Sequence, residues 1–407
     1  MRSLLAPLRF GLSGNLLRLF YTIFLWELGF GLYINNMLTV YLKDHGMTEA
    51  RTGLVLTIAG LARITLLLPV GSLMDHVGRK PVVVAAAAIA IPGSFGYIVA
   101  SNQWILAIAT IVMSINALGF PAMSAIIAAS DLENPTDTFR LLYTVGPAIA
   151  FIIGPAVGGV VGQLISNRAV FIVCAFVFLA ALLLALSLEE PHMHNRGMRR
   201  GGYLDIVQYR PMRLIVLFGF GLVFILAFGV TFLPNLITDA YHFSDQQRGI
   251  AFSCGAIGTL ILSMSMSRIK AITAIRGSAL GVLSVSGICI VALTVGSPWI
   301  LIPAFAMRGG FMFGWSLLTP VANEIAPPAL RERTFASIEF ATGIGNTLAP
   351  VLAGIAYEID RTLPFLIGAI VMPIVAVLGM MLDRRVIAPE IARKERLALA
   401  DAEMAAA

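Results

Sequence analysis

Apolar residues run along this chain in stretches of about 20, and a helix of that length rises about 30 Å, enough to cross the hydrocarbon core of a bilayer. The pattern predicts helices over 18–41, 51–73, 81–101, 104–129, 139–162, 168–188, 213–237, 246–267, 277–296, 299–322, 334–357 and 363–382. Twelve spans return both termini to one side. The longest polar interruption, from Glu189 to about Met212, is rich in Arg and Gly and divides the spans six and six. The expected organisation is a six-helix bundle over 1–188, a linker over 189–212, a second six-helix bundle over 213–383 and a tail over 384–407. The tail mixes charges with many Ala and reads as a loose surface helix. The first apolar run is too long, and too polar at Glu27, Asn35 and Asn36, for a cleaved signal peptide, so helix 1 is expected to stay in the mature protein.

Composition agrees with a chain that lives in lipid. Hydrophobic residues make up 58% and charged residues 12%, against roughly 25% charged in a soluble domain. One alternating set of predicted loops holds 21 of the 28 Lys and Arg residues, while the opposite set holds Lys43, Arg51, Arg168, Arg248 and Arg361. That asymmetry predicts cytoplasmic termini and a cytoplasmic central loop in a multi-pass protein of the cell (inner) membrane. The net charge of +6 then follows from topology and gives no reason to expect a nucleic-acid partner. Cys174, Cys254 and Cys289 all fall inside spans without metal-ligand spacing, and His192 and His194 lack further ligands, so neither a disulfide framework nor a metal site is expected.

A faint internal repeat supports two related halves. Pro155 follows Thr138-Phe139 and Pro350 follows Thr334-Phe335 at nearly the same interval, and a Gly lies four residues beyond each Pro, at Gly159 and Gly354. Duplicated halves around a midplane site are a recurrent transporter plan.

Two motifs are more specific. After the second predicted span comes Gly71-Ser-Leu-Met-Asp75-His-Val-Gly78-Arg79-Lys80. Gly71 suits close helix approach, Gly78 a tight turn, and Asp75 can accept from a helix N-terminus or pair with Arg79. In this loop the sequence resembles the major facilitator superfamily, whose signature between helices 2 and 3 has the form G-x-x-x-D-x-x-G-R-K/R. The resemblance implies a loop that latches the cytoplasmic ends of the two bundles in the outward-facing state. His76 stands where Arg is frequent, and the loop after helix 8 has basic residues but no matching Gly or Asp, so any latch is asymmetric.

The second motif, in helix 5, is Gly146-x-x-x-Ala150-x-x-x-Gly154-Pro155-x-x-Gly158-Gly159. Small residues four apart form a smooth strip for close packing, and Pro155 supplies a kink. It is similar to the antiporter motif of the family's drug/proton efflux branch, with Ala in place of one Gly, and implies export or antiport. That branch often has Arg in the middle of helix 4, where this chain has Asn116, and the departure leaves the proton coupling open.

Ionisable groups inside spans cost about 2.5–3.5 kcal/mol at a helix centre and so mark functional positions. Glu27 and Arg63 lie about 14 Å and 12 Å along helices 1 and 2 from their cytoplasmic ends, a similar depth that predicts a buried pair and a proton-coupling role. Arg308 lies about 14 Å inside helix 10 and Glu339 about 9 Å inside helix 11, where a pair would need both side chains extended. Glu27, Asn35, Asn116, Arg308 and Glu339 are the candidate substrate contacts. Asn36, Asn323 and Asn346 are cavity polar groups or interhelix bonds, and Phe24, Trp26, Phe30 and Trp315 are expected to pack or face lipid.

The function expected is alternating-access transport, first as proton-coupled efflux of a small amphipathic or organic compound, by a monomer in contact with lipid and without a cofactor. A carrier for an anionic metabolite held by Arg63 and Arg308 is the second reading. A membrane-embedded receptor or enzyme on a transporter scaffold is the alternative of another class, but no nucleophile–base or metal constellation supports an enzyme. The sequence has no phosphate-binding Gly-rich loop for ATP-driven pumping.

Overall fold

A computed structural model describes residues 12, 14–130, 138, 141–190, 208–268, 274–318, 321, 325, 326, 331–394 and 396, all helical or in turns. His192, His194, Asn323, most of the linker and the end of the tail lie outside the described residues, as does the Asp75 side chain within its helix. The helices, in chain order, are α1 (Gly14–Gly31), α2 (Leu38–Asp44), α3 (Glu49–Val77), α4 (Arg79–Val99), α5 (Gln103–Asn116), α6 (Gly119–Ser130), α7 (Gly146–Leu164) and α8 (Asn167–Leu186). After the linker follow α9 (Arg210–Val230), α10 (Leu233–Tyr241), α11 (Asp245–Arg268), α12 (Ala274–Thr294), α13 (Pro298–Ala304), α14 (Gly310–Ser316), α15 (Arg331–Ile359) and α16 (Leu363–Leu382).

Ten of the described helical stretches are long and apolar enough to cross a membrane, where the sequence predicts twelve spans. The two that fall short have a physical reason. The predicted span 18–41 is broken between α1 and α2 by turns over 32–37, and the predicted span 299–322 contains a 3-10 segment, Phe305–Gly309, between α13 and α14. The chain is a multi-pass membrane protein. Several helices start on side-chain caps: Thr48 accepts from the amide of Arg51, Asn102 from those of Trp104 and Ile105, and Ser166 from that of Ala169. Trp104 and Trp299 protrude at the starts of α5 and α13, as aromatic side chains do at a membrane–water boundary.

The buried apolar side chains form two separate clusters, one drawn from residues 12–188 and the other from 209–391. Between the halves, two crossings recur. Gly53 of α3 rests on the backbone of Pro350 and Val351 in α15, and Gly354 of α15 rests on Glu49 and Ala50. Likewise Gly249 of α11 rests on Pro155 of α7, and Gly159 of α7 rests on Asp245 and Gly249. The faint repeat in the sequence thus occupies equivalent positions: each Pro-x-x-x-Gly of α7 or α15 meets the first turns of α11 or α3.

All these crossings lie at one end of the molecule, the end of the Asp44–Glu49 turn. Polar groups reinforce them. Lys43 pairs with Asp239 and, at 2.8 Å, with Glu49, the Tyr357 hydroxyl donates to Asp239 at 2.9 Å, and the Ala50 amide donates to the Glu358 carboxylate at 3.0 Å. Farther along, a side chain placed at Gly343 of α15 would still meet Ile64 of α3 at 3.6 Å. Among the described residues, the backbone crossings and ion pairs that join the halves gather at this sealed end.

Candidate functional site

Between the two halves lies a cavity of about 340 Å³, a volume at the low end for small-molecule sites. Two interrupted helices build its polar wall. Helix 1 breaks after Gly31 because Gly31 and Leu32 sit directly on Ala150, Gly154 and Gly158 of α7; a side chain at Gly158 would overlap the Leu32 carbonyl. The small-residue strip is thus a mould for the break, while Pro155 and Gly159 of the same helix face the second half. The break turns Asn35 and Asn36 toward that half. Arg248 of α11, 2% exposed, donates to the Asn36 carbonyl at 2.6 Å, to Thr238 at 2.9 Å and to Asp245. The sequence reading placed Arg248 in an outer loop; its aliphatic and charged parts are instead buried at the sealed end, fully used by backbone and side-chain acceptors.

The 3-10 segment does the same from the opposite side. Gly309 presses on Gly258 and Thr259 of α11, and Gly310 on Gly281 of α12, so the tighter winding is held between two helices and fixes where Arg308 points. Arg308 donates from Nη2 to the Asn35 Oδ1 at 3.0 Å and lies 4.7 Å from the centre of the Phe252 ring, while its Nε is buried without a partner.

The cavity wall includes Asn35, Arg63, Arg308 and Asn346 but not Glu27, Asn116 or Glu339. Depth along the helices had suggested a Glu27–Arg63 pair; none forms. Arg63 acts electrostatically on Glu339 across the α3–α15 interface, beyond ion-pair distance, and makes no hydrogen bond. Nor do Arg308 and Glu339 pair, since Arg308 is engaged by Asn35. Glu27 lies on α1 near Tyr143, without a hydrogen bond or ion pair of its own. Asn116 is buried and donates to the Ala86 carbonyl at 2.8 Å, tying α5 to α4 away from the cavity. Trp26 is core packing against Phe120, whereas Phe30 and Trp315, expected as packing or lipid contacts, line the cavity.

The Gly71–Lys80 turn also differs in detail. No atom approaches within 4 Å of a side chain placed at Gly71, so that glycine borders open space and permits no close helix contact in this state. Gly78 has φ of 89°, a conformation that favours glycine, and separates α3 from α4. The N-terminus of α4 is capped by a residue outside the motif. Glu190, just beyond α8, accepts from the amides of Arg79 at 2.8 Å and Lys80 at 2.7 Å, so its carboxylate caps α4. Beside it Glu189 pairs with Arg18 at 2.9 Å and accepts through its carbonyl from Asn15 at 3.0 Å. A Glu-Glu pair at the end of an apolar span in an otherwise basic region was the available signal. Glu190→Gln keeps an acceptor but removes the charge, and is expected to lower stability by about 0.3–1 kcal/mol, less in high salt because the group is partly exposed. Thermal unfolding of the purified protein at two ionic strengths checks it; equal midpoints for both proteins at low salt would rule out the cap.

With this geometry in hand, comparison with known proteins is informative. The sequence profile of the Major Facilitator Superfamily matches twice, over residues 19–314 and 218–402. Multidrug resistance protein 1 of Bacillus subtilis (strain 168) is 25% identical over 370 residues, covering 86% of this chain and 92% of that protein. The uncharacterized MFS-type transporter YhjO of the same organism is 23% identical over 320 residues, covering 74% of this chain and 76% of that protein. The crystal structure of nucleoside transporter NupG superposes with a TM-score of 0.74 at 17% identity, over 91% of this chain and 99% of that one, and at that identity shares the fold alone.

Proposed function

The chain belongs to the Major Facilitator Superfamily, a family of secondary transporters rather than enzymes, and from that premise we propose that it is a proton-coupled exporter of a small organic compound. Two six-helix halves, 1–188 and 213–383, rock about the central cavity, joined by the 189–212 linker. Twelve spans are reached by counting the two interrupted helices with the ten continuous ones. The Lys and Arg asymmetry supports cytoplasmic termini and an inner-membrane location, and it makes the sealed end the outer one. The described state is then open to the cytoplasm.

The observation that carries this reading is the position of the cavity: it lies between the halves, is lined by both, and is closed at one end by cross-half crossings. A site that faces one side in one state and the other side in the next is what coupled transport requires. Export is supported by the small-residue strip of α7 and by the likeness to a multidrug resistance protein. Proton coupling is supported by Glu27, a carboxylate inside a span with no partner. A panel of labelled organic compounds offered to proteoliposomes, with and without an imposed pH gradient, tests the reading. Accumulation of at least one compound only when the gradient is present is expected; accumulation that ignores pH but follows a sodium gradient would sink proton coupling.

A further inference from the structure

The cavity wall holds two guanidinium groups and no carboxylate. Among the described residues Arg63 and Arg308 are its only charged members, and neither meets a carboxylate at ion-pair distance: Arg63 makes no hydrogen bond, and Arg308 makes one, from Nη2 to Asn35, with its guanidinium 4.7 Å from the centre of the Phe252 ring. The Arg308 Nε is buried and makes no hydrogen bond, and the Arg308 side chain lines the site. Buried polar groups in a low-dielectric site are normally satisfied, and an unsatisfied forked cation at the centre of a binding cavity is complementary to a planar anion. Glu339, outside the cavity wall, acts on Arg63 across the α3–α15 interface and offsets part of its charge. Among the described residues Arg308 has no carboxylate at ion-pair distance, so the site is net positive.

The remainder of the wall is largely apolar and aromatic. Phe311 and Trp315, about one and two turns beyond Arg308, meet edge-on with ring centres 6.1 Å apart, and Phe30 and Tyr33 of the broken helix 1 also line the cavity. A flat hydrophobic body fits between such faces. Resting on the reading of the cavity as the transport site, we infer that its cargo is a small organic monocarboxylate with a planar apolar body, the carboxylate held by Arg308 with Arg63 beside it. The break in helix 1 has a part in this: Asn35 holds Nη2 and orients the Arg308 fork, leaving Nη1 for the anion. The cargo supplies the carboxylate that Arg308 lacks among the described residues, which also gives a cationic amphiphile no place to bind.

The test uses the full-length protein with its three native cysteines replaced and Asn346→Cys introduced in the cavity wall, measuring protection of that thiol from a maleimide. Probes share one ring system: 2-naphthoate, 2-naphthamide, 2-naphthylmethylammonium and 2-naphthyl phosphate. Naphthoate is expected to protect, the amide to need at least tenfold more, and the ammonium compound to fail. Arg308→Gln should raise the half-protecting naphthoate concentration at least tenfold and leave the amide where it was, and Arg308→Lys should recover part of the loss. The unchanged amide value separates a lost contact from a misfolded site. Protection by the ammonium compound as good as by naphthoate, a tenfold preference for the phosphate dianion, or no protection by naphthoate would each overturn the inference. The transport reading has its own readout in the same protein. In membranes the thiol should react with an impermeant maleimide added from either side; reactivity from one side under all conditions would sink alternating access, while the naphthoate series still decides the anion.

Discussion

Gly249→Leu and Gly53→Leu should each open the sealed end and slow transport at least tenfold, although neither residue touches the cavity. Both glycines face backbone rather than flexible side chain: Gly53 faces Pro350 and Val351, and Gly249 faces Pro155 and the Cα of Gly159. A neighbour made of helix backbone has no rotamer by which to yield. Overpacking such a contact costs about 1–3 kcal/mol, and each 1.4 kcal/mol is a factor of ten, so the closed-outer population falls about fivefold to more than a hundredfold. In the proposed cycle the cost falls on one state, the one whose outer end these crossings shut. A ligand or mutation shifts an equilibrium only by its difference between the two states, and these substitutions have a large one.

Distances between spin labels at Ser101 and Thr294, exposed positions at the sealed end in different halves, read the shift directly. A longer distance, graded from Gly249→Ala to Gly249→Leu, is expected, with the equivalent series at Gly53 matching it. An unchanged distance with normal transport would mean that the halves do not close on these glycines. Loss of folded protein for Leu but not for Ala leaves the Ala series to decide, since a Cβ alone already overlaps the Pro155 carbonyl.

That these crossings were foreshadowed in the sequence, and other features were not, has a physical basis. Pro155 with Gly159 and Pro350 with Gly354 were visible because backbone constraints leave marks in residue type: only small residues allow two helices to touch. The apolar runs were legible for the same reason, since the length of a span is set by the bilayer. The pairing of charges was not. Residue counts gave Glu27 and Arg63 a common depth, but depth says nothing of rotation about each helix axis, and Arg63 lines the cavity while Glu27 does not. Interruptions were also hidden, because the pair Asn35-Asn36 and the run Phe305–Gly309 break their helices only through close packing on α7, α11 and α12. Arg248 and Glu190 were missed because a loop charge and a capping charge look alike in sequence; what distinguishes them is which amide or carbonyl the fold brings within 3 Å.

The lone carboxylate on helix 1 leads to the last expectation. Glu27→Gln should abolish accumulation driven by a pH gradient while leaving substrate binding and downhill exchange intact. Glu27 sits on α1 near Tyr143, outside the cavity wall, and nothing in the open state neutralises it. A charge inside a span without a partner is costly, so its protonation must be sensitive to whatever the rocking of the halves brings near. That sensitivity is the requirement for coupling: a proton bound equally well in both states would shift nothing. Gln keeps the shape of the protonated acid and cannot release a proton, so the cycle can proceed in exchange but not against a gradient. Because Glu27 is off the cavity wall, naphthoate binding should change less than twofold. Uphill transport with a normal pH dependence in the variant would exclude Glu27 as the coupling group. A loss of binding equal to the loss of transport would instead place it in contact with the cargo in a state other than this one.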